Sequence, residues 1–319
     1  MNKKRVTLVG ILTVLLLAVN PLSALGSALP KVTIQSPATV GALPLIWIKE
    51  SGFLDDQVDL DILVSPDHQR GLALIAQNEI ELLVTGVNVG AKAYNKGIDL
   101  RLVNVNIWGI DYLLTGGFEA RTWSDLEGKT LSLPLQGGPL DFLARYFLLE
   151  NGADESKVKI VYQASNNGAR SFQLGSVDAT ILPEPLVTIT LKNYADAVLS
   201  FDLQAEWAKL HDGDDRIPFV GLFVRGDFAT QNSDLIAALE EGYRQGLEWV
   251  KANPTEAAVL AGEYFGQPPA IVQESFGRIN LNLYPENETK MLIERYFTEI
   301  MRFYPEMIGG QLPDADFYL

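Results

Sequence analysis

Cysteine is missing from all 319 residues, and histidine occurs only at His68 and His211. Without a thiol the chain forms no disulfide, carries no thiolate nucleophile and accepts no lipid on a cysteine. The two histidines lie far apart and lack metal-ligand spacing, which argues against a histidine-based metal site. There is no Gly-x-Ser-x-Gly elbow, P-loop or His-Glu-x-x-His, so the common hydrolytic, nucleotide-cleaving and zinc-dependent arrangements are absent. The paired carboxylates Asp55-Asp56 and Asp214-Asp215 fall in expected loops and read as solvated groups, not as an acid–base pair. Basic residues are few: 25 Lys and Arg against 40 Asp and Glu, a net charge of -15. Such a balance disfavours nucleic acid as a partner. Beyond the N-terminus no segment is long and apolar enough to span a bilayer.

The N-terminus itself has the order of an export signal. Lys3, Lys4 and Arg5 precede an apolar run from Val6 to Val19, broken only by Gly10 and Thr13, and small residues follow from Ser23 to Ala28. Residues 1–28 are therefore expected to be a signal peptide cleaved after Ala28. The apolar run is short for a retained anchor, which needs about 20 residues. The mature protein should be exported, soluble and not lipidated. A remaining chain of about 290 residues can bury a core without disulfides and usually divides in two.

From Lys31 onward, strand-like and helical segments alternate. KVTIQS (31–36), VDLDILVS (58–65), IELLVTG (80–86) and DLRLVNVN (99–106) read as strands, with helices at LPLIWIKESG and RGLALIAQ between them. The order recurs with TLSLPL (130–135), a helix over 140–150, KVKIVYQ (157–163), GARSFQLG and VDATILPEP. Apolar strands alternating with helices predict parallel sheets covered on both faces, and the recurrence predicts two similar lobes. IDYLLTGG (110–117) and RIPFVGLFVRGDF (216–228) read as strands that are expected to carry the chain between the lobes. The last third is helical, beginning with a Ser233 cap.

Several stretches together carry a family resemblance. They are Asp125-Leu126-Glu127-Gly128-Lys129, Gly175-Ser176-Val177-Asp178-Ala179, the pair Glu184-Pro185, and the segments GALPLIWIKESGFL and WVKANPTEAA. In order and spacing the chain resembles bacterial ABC-transporter solute-binding proteins of the nitrate/sulfonate/taurine and thiamine-precursor group. Where that family carries a Gly-x-Asp turn in its first lobe, this chain has Asn78-Glu79-Ile80-Glu81. The resemblance implies two doubly wound α/β lobes of the type II periplasmic-binding-protein kind. Residues 29–112 and 222–319 would form lobe one, and 113–221 lobe two. It also implies a monomer in the periplasm that takes a small organic solute or oxyanion by hinge closure, docks on a membrane permease and uses no cofactor. An enzyme of the thiamine-pyrimidine type on the same scaffold is the alternative, disfavoured by the export signal and the missing cysteines. A sensor that presents its ligand to a membrane receptor would use the same closed form.

In open α/β sheets ligands bind beyond the carboxyl ends of the strands. That rule selects Ser36, Pro37, Ala38 and Thr39 after the first strand, and Thr85, Gly86 and Asn88 after the third. In the second lobe it selects Gln136, Gly137, Gly138 and Pro139, then Asn166 and Glu184, with Trp108 and Asp111 beside the first crossover. Gly138 and Pro139 suit an N-cap and first helical position whose free N–H groups attract an anion; Asp141 would serve the same end. Thr85 and Asn88 either contact the ligand or cap the next helix. Glu184 accepts from a ligand amine or from an N–H of its own turn, and Trp108 stacks on a ligand or packs in the core. The absence of Lys and Arg from these loops tilts the expectation toward a neutral or amine-bearing solute.

Overall fold

The computed structural model describes residues 29–65 and 68–319, so the signal expected over 1–28 lies outside the described residues. In chain order the strands are β1 (Lys31–Ser36), β2 (Asp59–Val64), β3 (Leu82–Gly86), β4 (Leu100–Gly109), β5 (Asp111–Gly116), β6 (Thr130–Leu133), β7 (Lys159–Tyr162), β8 (Ala179–Pro183), β9 (Ala197–Asp202), β10 (Val220–Arg225) and β11 (Asn280–Leu281). They form a six-stranded sheet, β11-β4-β10-β3-β1-β2, and a five-stranded sheet, β7-β6-β8-β5-β9. Each sheet with its helices is one lobe of a mixed α/β fold.

Hydrophobic patterning explains the strand positions. β3 is buried at every residue, as a central strand covered on both faces must be. β1 pairs in parallel with β2 and β3, and β6 does so with β7 and β8. The expectation of purely parallel sheets is corrected at the two-residue edge strand β11, antiparallel to β4, and at two strands that enter from the other lobe. β10 runs antiparallel to β3 and β4, and β5 antiparallel to β8 and β9. Both follow links from the other lobe, and antiparallel neighbours do not require the helical crossover that joins parallel ones. The two crossover segments form strands as expected, and the passages themselves are Ile110 on the outward route and residues 211–219 on the return.

Helix Leu43–Glu50 packs on helix Ser233–Ala252, where a β-carbon on Gly246 would lie 2.7 Å from the Pro44 carbonyl oxygen. Asn232, not Ser233, occupies the N-cap of the longer helix. The helix Glu286–Phe303 reaches both lobes. Phe297 lies 6.2 Å from Phe317, which in turn lies 6.0 Å from Phe223 of β10. One residue earlier, Tyr296 meets Phe142 of helix Pro139–Glu150 edge-on at 5.3 Å. Among the described residues no helix is long and apolar enough to cross a membrane.

Candidate functional site in the interlobe cleft

β6 ends in the loop Gln136-Gly137-Gly138, and Pro139 opens the helix that follows. Gly137 has φ +73°, a left-handed conformation that glycine adopts without strain. Its N–H donates to Asp141 Oδ2 at 2.7 Å, and Asp141 Oδ1 accepts from Arg145 Nε at 2.7 Å and from the Tyr162 hydroxyl at 2.8 Å. A buried carboxylate of the protein therefore already occupies this helix start, which weakens its appeal to an external anion. Gly138 is extended, at φ -83°, and forms the N-cap. A β-carbon there would meet Leu135 at 3.1 Å, within its own loop, so its small size serves the second lobe internally.

What approaches the loop is the other lobe. Gly86 closes β3, and a β-carbon on it would lie 2.6 Å from Pro139 Cγ. Two residues on, Asn88 Nδ2 donates to the Gly137 carbonyl at 3.1 Å. Lys92, one helical turn after Asn88, brings its ammonium to 3.7 Å from where a Gly137 β-carbon would stand. Behind this contact the Asn88 Oδ1 and the Thr39 Oγ1 are buried without a hydrogen-bond partner. Ser36 and Thr85 are also buried, and the Ser36 hydroxyl donates to the Pro37 carbonyl at 3.2 Å.

The hinge supplies a second polar cluster. The Gln204 carboxamide oxygen accepts from the Ile110 N–H at 3.1 Å and the Asp111 N–H at 3.3 Å, which fixes the outward link. The Asp111 side chain is 1% exposed, and its Oδ1 has no partner. Burial alone pushes this carboxyl well above the usual carboxylate range. Glu184, fully buried before a cis peptide bond to Pro185, is fully engaged. Its Oε1 accepts from Arg278 Nη1 at 2.8 Å and Thr188 Oγ1 at 2.9 Å, and its Oε2 from the Thr188 N–H at 3.0 Å. The Tyr112 hydroxyl donates to the Arg278 carbonyl at 2.7 Å. The segment around Arg278 is thereby bonded to the second lobe beside the hinge.

Aromatic rings pack beside Asp111. The Tyr296 hydroxyl and the Trp207 indole N–H are both buried without partners, with ring centroids 5.9 Å apart. Burial first, and then the Asp111 charge, raise the Tyr296 phenol above its ordinary range. His211 stacks on Trp207 at 3.7 Å and lies 3.1 Å from the Tyr146 hydroxyl.

Of the residues selected by the strand-end rule, Gly86, Asn88, Gly137 and Pro139 meet across the cleft. Thr39 and Asp111 bring unpartnered buried oxygens. Gln136 and Asn166 are exposed, and Ala38 is half-buried. Trp108 is fully buried, edge-on to Tyr284 at 4.9 Å, and its indole N–H donates to the Asn282 carbonyl at 3.1 Å, so it packs in the core. Glu184 is held by Arg278 and its own turn. Sequence reasoning missed Lys92, although its i,i+4 spacing from Asn88 places both on one helix face. It also missed Tyr296 and Arg278, for which no local signal exists.

The chain resembles solved structures along almost its whole length. An ABC transporter structure from Parabacteroides distasonis superposes with a TM-score of 0.71 at 22% identity, covering 92% of this chain and 99% of that one. The alkanesulfonate-binding protein SsuA from Xanthomonas axonopodis pv. citri, bound to MOPS, gives 0.74 at 18% identity, with 92% and 99% covered. The periplasmic nitrate-binding protein NrtA from Synechocystis gives 0.71 at 16% identity, with 91% and 85% covered. At these identities the likeness establishes the fold. No curated protein matches the sequence. A family model described as NMT1/THI5 like matches residues 42–257, more than half of the chain, and the protein belongs to that family.

Proposed function

We propose that this protein is the extracytoplasmic solute-binding component of an ABC importer. It would capture a small solute between its lobes and deliver it to a membrane permease from the periplasm. The observation that carries this reading is the meeting of the lobes at Gly86, Asn88, Gly137 and Pro139, with unpartnered polar atoms enclosed near the hinge. Such a cleft closes when a solute bonds both lobes at once, because only a ligand that favours the closed form shifts the balance toward it. Structures of the same fold include an alkanesulfonate-binding protein, a nitrate-binding protein and an ABC transporter structure. Ser36, Pro37, Thr39, Thr85, Asn88, Asp111, Gln136, Gly137 and Pro139 are the proposed contacts. The role requires no covalent chemistry.

Native mass spectrometry of protein purified from the periplasmic fraction tests the proposal. One small molecule per chain is expected, on a polypeptide beginning after Ala28. Catalytic consumption of a candidate solute, beyond one equivalent, would refute the binding role.

A further inference from the structure

Resting on that reading, we infer that Asp111 selects the solute, and that the solute is an organic nitrogen cation, a protonated amine or amidine, whose N–H groups bond this carboxyl. The inference concerns ligand class, which the fold leaves open because related scaffolds hold different pockets.

Asp111 opens β5 directly after Ile110, the one-residue link between the lobes. Its carboxyl is 1% exposed and its Oδ1 accepts no hydrogen bond. Isolated buried carboxyl groups are costly unless paired, and native proteins retain few. The charged and titratable groups around it supply no cation. Tyr112 on its own strand and Tyr296 on the long C-terminal helix are phenols. Glu184, at the end of the neighbouring strand, is acidic, and the Arg278 guanidinium is bonded to Glu184 and Thr188. A ligand ammonium or amidinium would provide the missing charge and donors.

Asp111 connects to the contact between the lobes through a short chain of neighbours. It influences Tyr296, whose ring meets Phe142 at 5.3 Å. Phe142 lies in the first turn after Gly138, and Gly137 bonds Asn88 of the first lobe. Asn88 contributes a second free acceptor. Its amide nitrogen faces the Gly137 carbonyl, so the unpartnered atom is the oxygen. Both acceptors call for donors from the solute. The feature that opposes this reading is the Lys92 ammonium beside Gly137, which suits an oxyanion instead.

Calorimetric titration of the full mature protein, freed of bound solute, separates the two. The probes are benzylammonium, benzamidinium, methanesulfonate and nitrate, each titrated into wild type, Asp111→Asn and Lys92→Ala. A cationic probe should bind wild type and Lys92→Ala alike and lose at least about tenfold in affinity to Asp111→Asn. Without ligand, Asp111→Asn should melt no lower than wild type, since it replaces an unpartnered acid by a neutral amide. If methanesulfonate or nitrate binds wild type, survives Asp111→Asn and is lost in Lys92→Ala, solute binding stands and the role of Asp111 is overturned. A clear drop in the melting temperature of unliganded Asp111→Asn overturns it too, by showing that the fold itself uses the carboxyl. Failure of both cations to bind any form likewise overturns the assignment, while a small molecule seen by mass spectrometry would still support import.

Discussion

Adding one methyl group at Gly86 should hold the cleft open. The backbone there, φ -60° and ψ 138°, accepts alanine without strain, so the first lobe should fold as before. The new β-carbon would stand 2.6 Å from Pro139 Cγ and 2.9 Å from its Cδ, where ordinary contact begins at 3.4 Å. The overlap is 3.4 - 2.6 = 0.8 Å at the closer atom. Pro139 cannot swing aside, because its ring is tied into the first turn of a helix. Overpacking of this kind costs about 1–3 kcal/mol. The clash spans the lobes, so the penalty falls on the closed form and leaves the open one untouched. An interlobe penalty of that size weakens solute affinity by about 5- to 150-fold. Titration of Gly86→Ala with the solute found by mass spectrometry measures the loss, and small-angle scattering reads whether the liganded protein still compacts. Gly138→Ala is the matched control, because its methyl meets Leu135 inside the second lobe at 3.1 Å and should spare closure. If Gly86→Ala binds within about twofold of wild type and compacts equally, the Gly86–Pro139 contact is not part of the closed, solute-holding form.

Two further outcomes follow from the hinge and its aromatic surroundings. Arg278→Ala removes one of the donors to fully buried Glu184, and with Arg278 itself 36% exposed, solvent screening reduces the loss to about 1–2 kcal/mol. A double-mutant cycle with Glu184→Gln, read by urea unfolding, should show coupling; additivity within about 0.5 kcal/mol would refute the pairing. Burial, helped by Arg295, lowers the His211 pKa from 6.5 to about 4, against opposing Asp214 and Asp212. The unfolded chain then takes up the proton first as pH falls. Stability is full above about pH 6.5 and declines as pH drops toward 4, by up to about 3 kcal/mol. His211→Gln should flatten that slope in melts at pH 7 and 4.5, and an unchanged slope would assign it to other groups.

Local chemistry made much of the scaffold legible. KVTIQS is β1 at its full length, and the run ending in Thr85-Gly86 is a central strand, because alternation and continuous apolarity report directly on how many faces are buried. The helix start at Gly138-Pro139 was equally readable, since a small N-cap residue followed by proline at the first helical position marks such a start. Less visible were the helix Leu186–Asn193, strand β9 and the helix Leu203–Leu210, whose mixed polar and apolar order matches no single period well. Strand direction was also beyond reach. Nothing local marks β5 and β10 as antiparallel, because direction depends on which sheet the chain has just left. By itself, then, the sequence determined the alternation of strands and helices, the loops at the strand ends and the lack of any cysteine. Only the tertiary structure decided which of those loops meet. It set Gly86 against Pro139, matched Glu184 with Arg278 and left the Asp111 Oδ1 without a partner. Hydrophobic periodicity records a residue's exposure within its own element, whereas these pairings join residues more than 50 positions apart, whose proximity arises only when two lobes fold against each other.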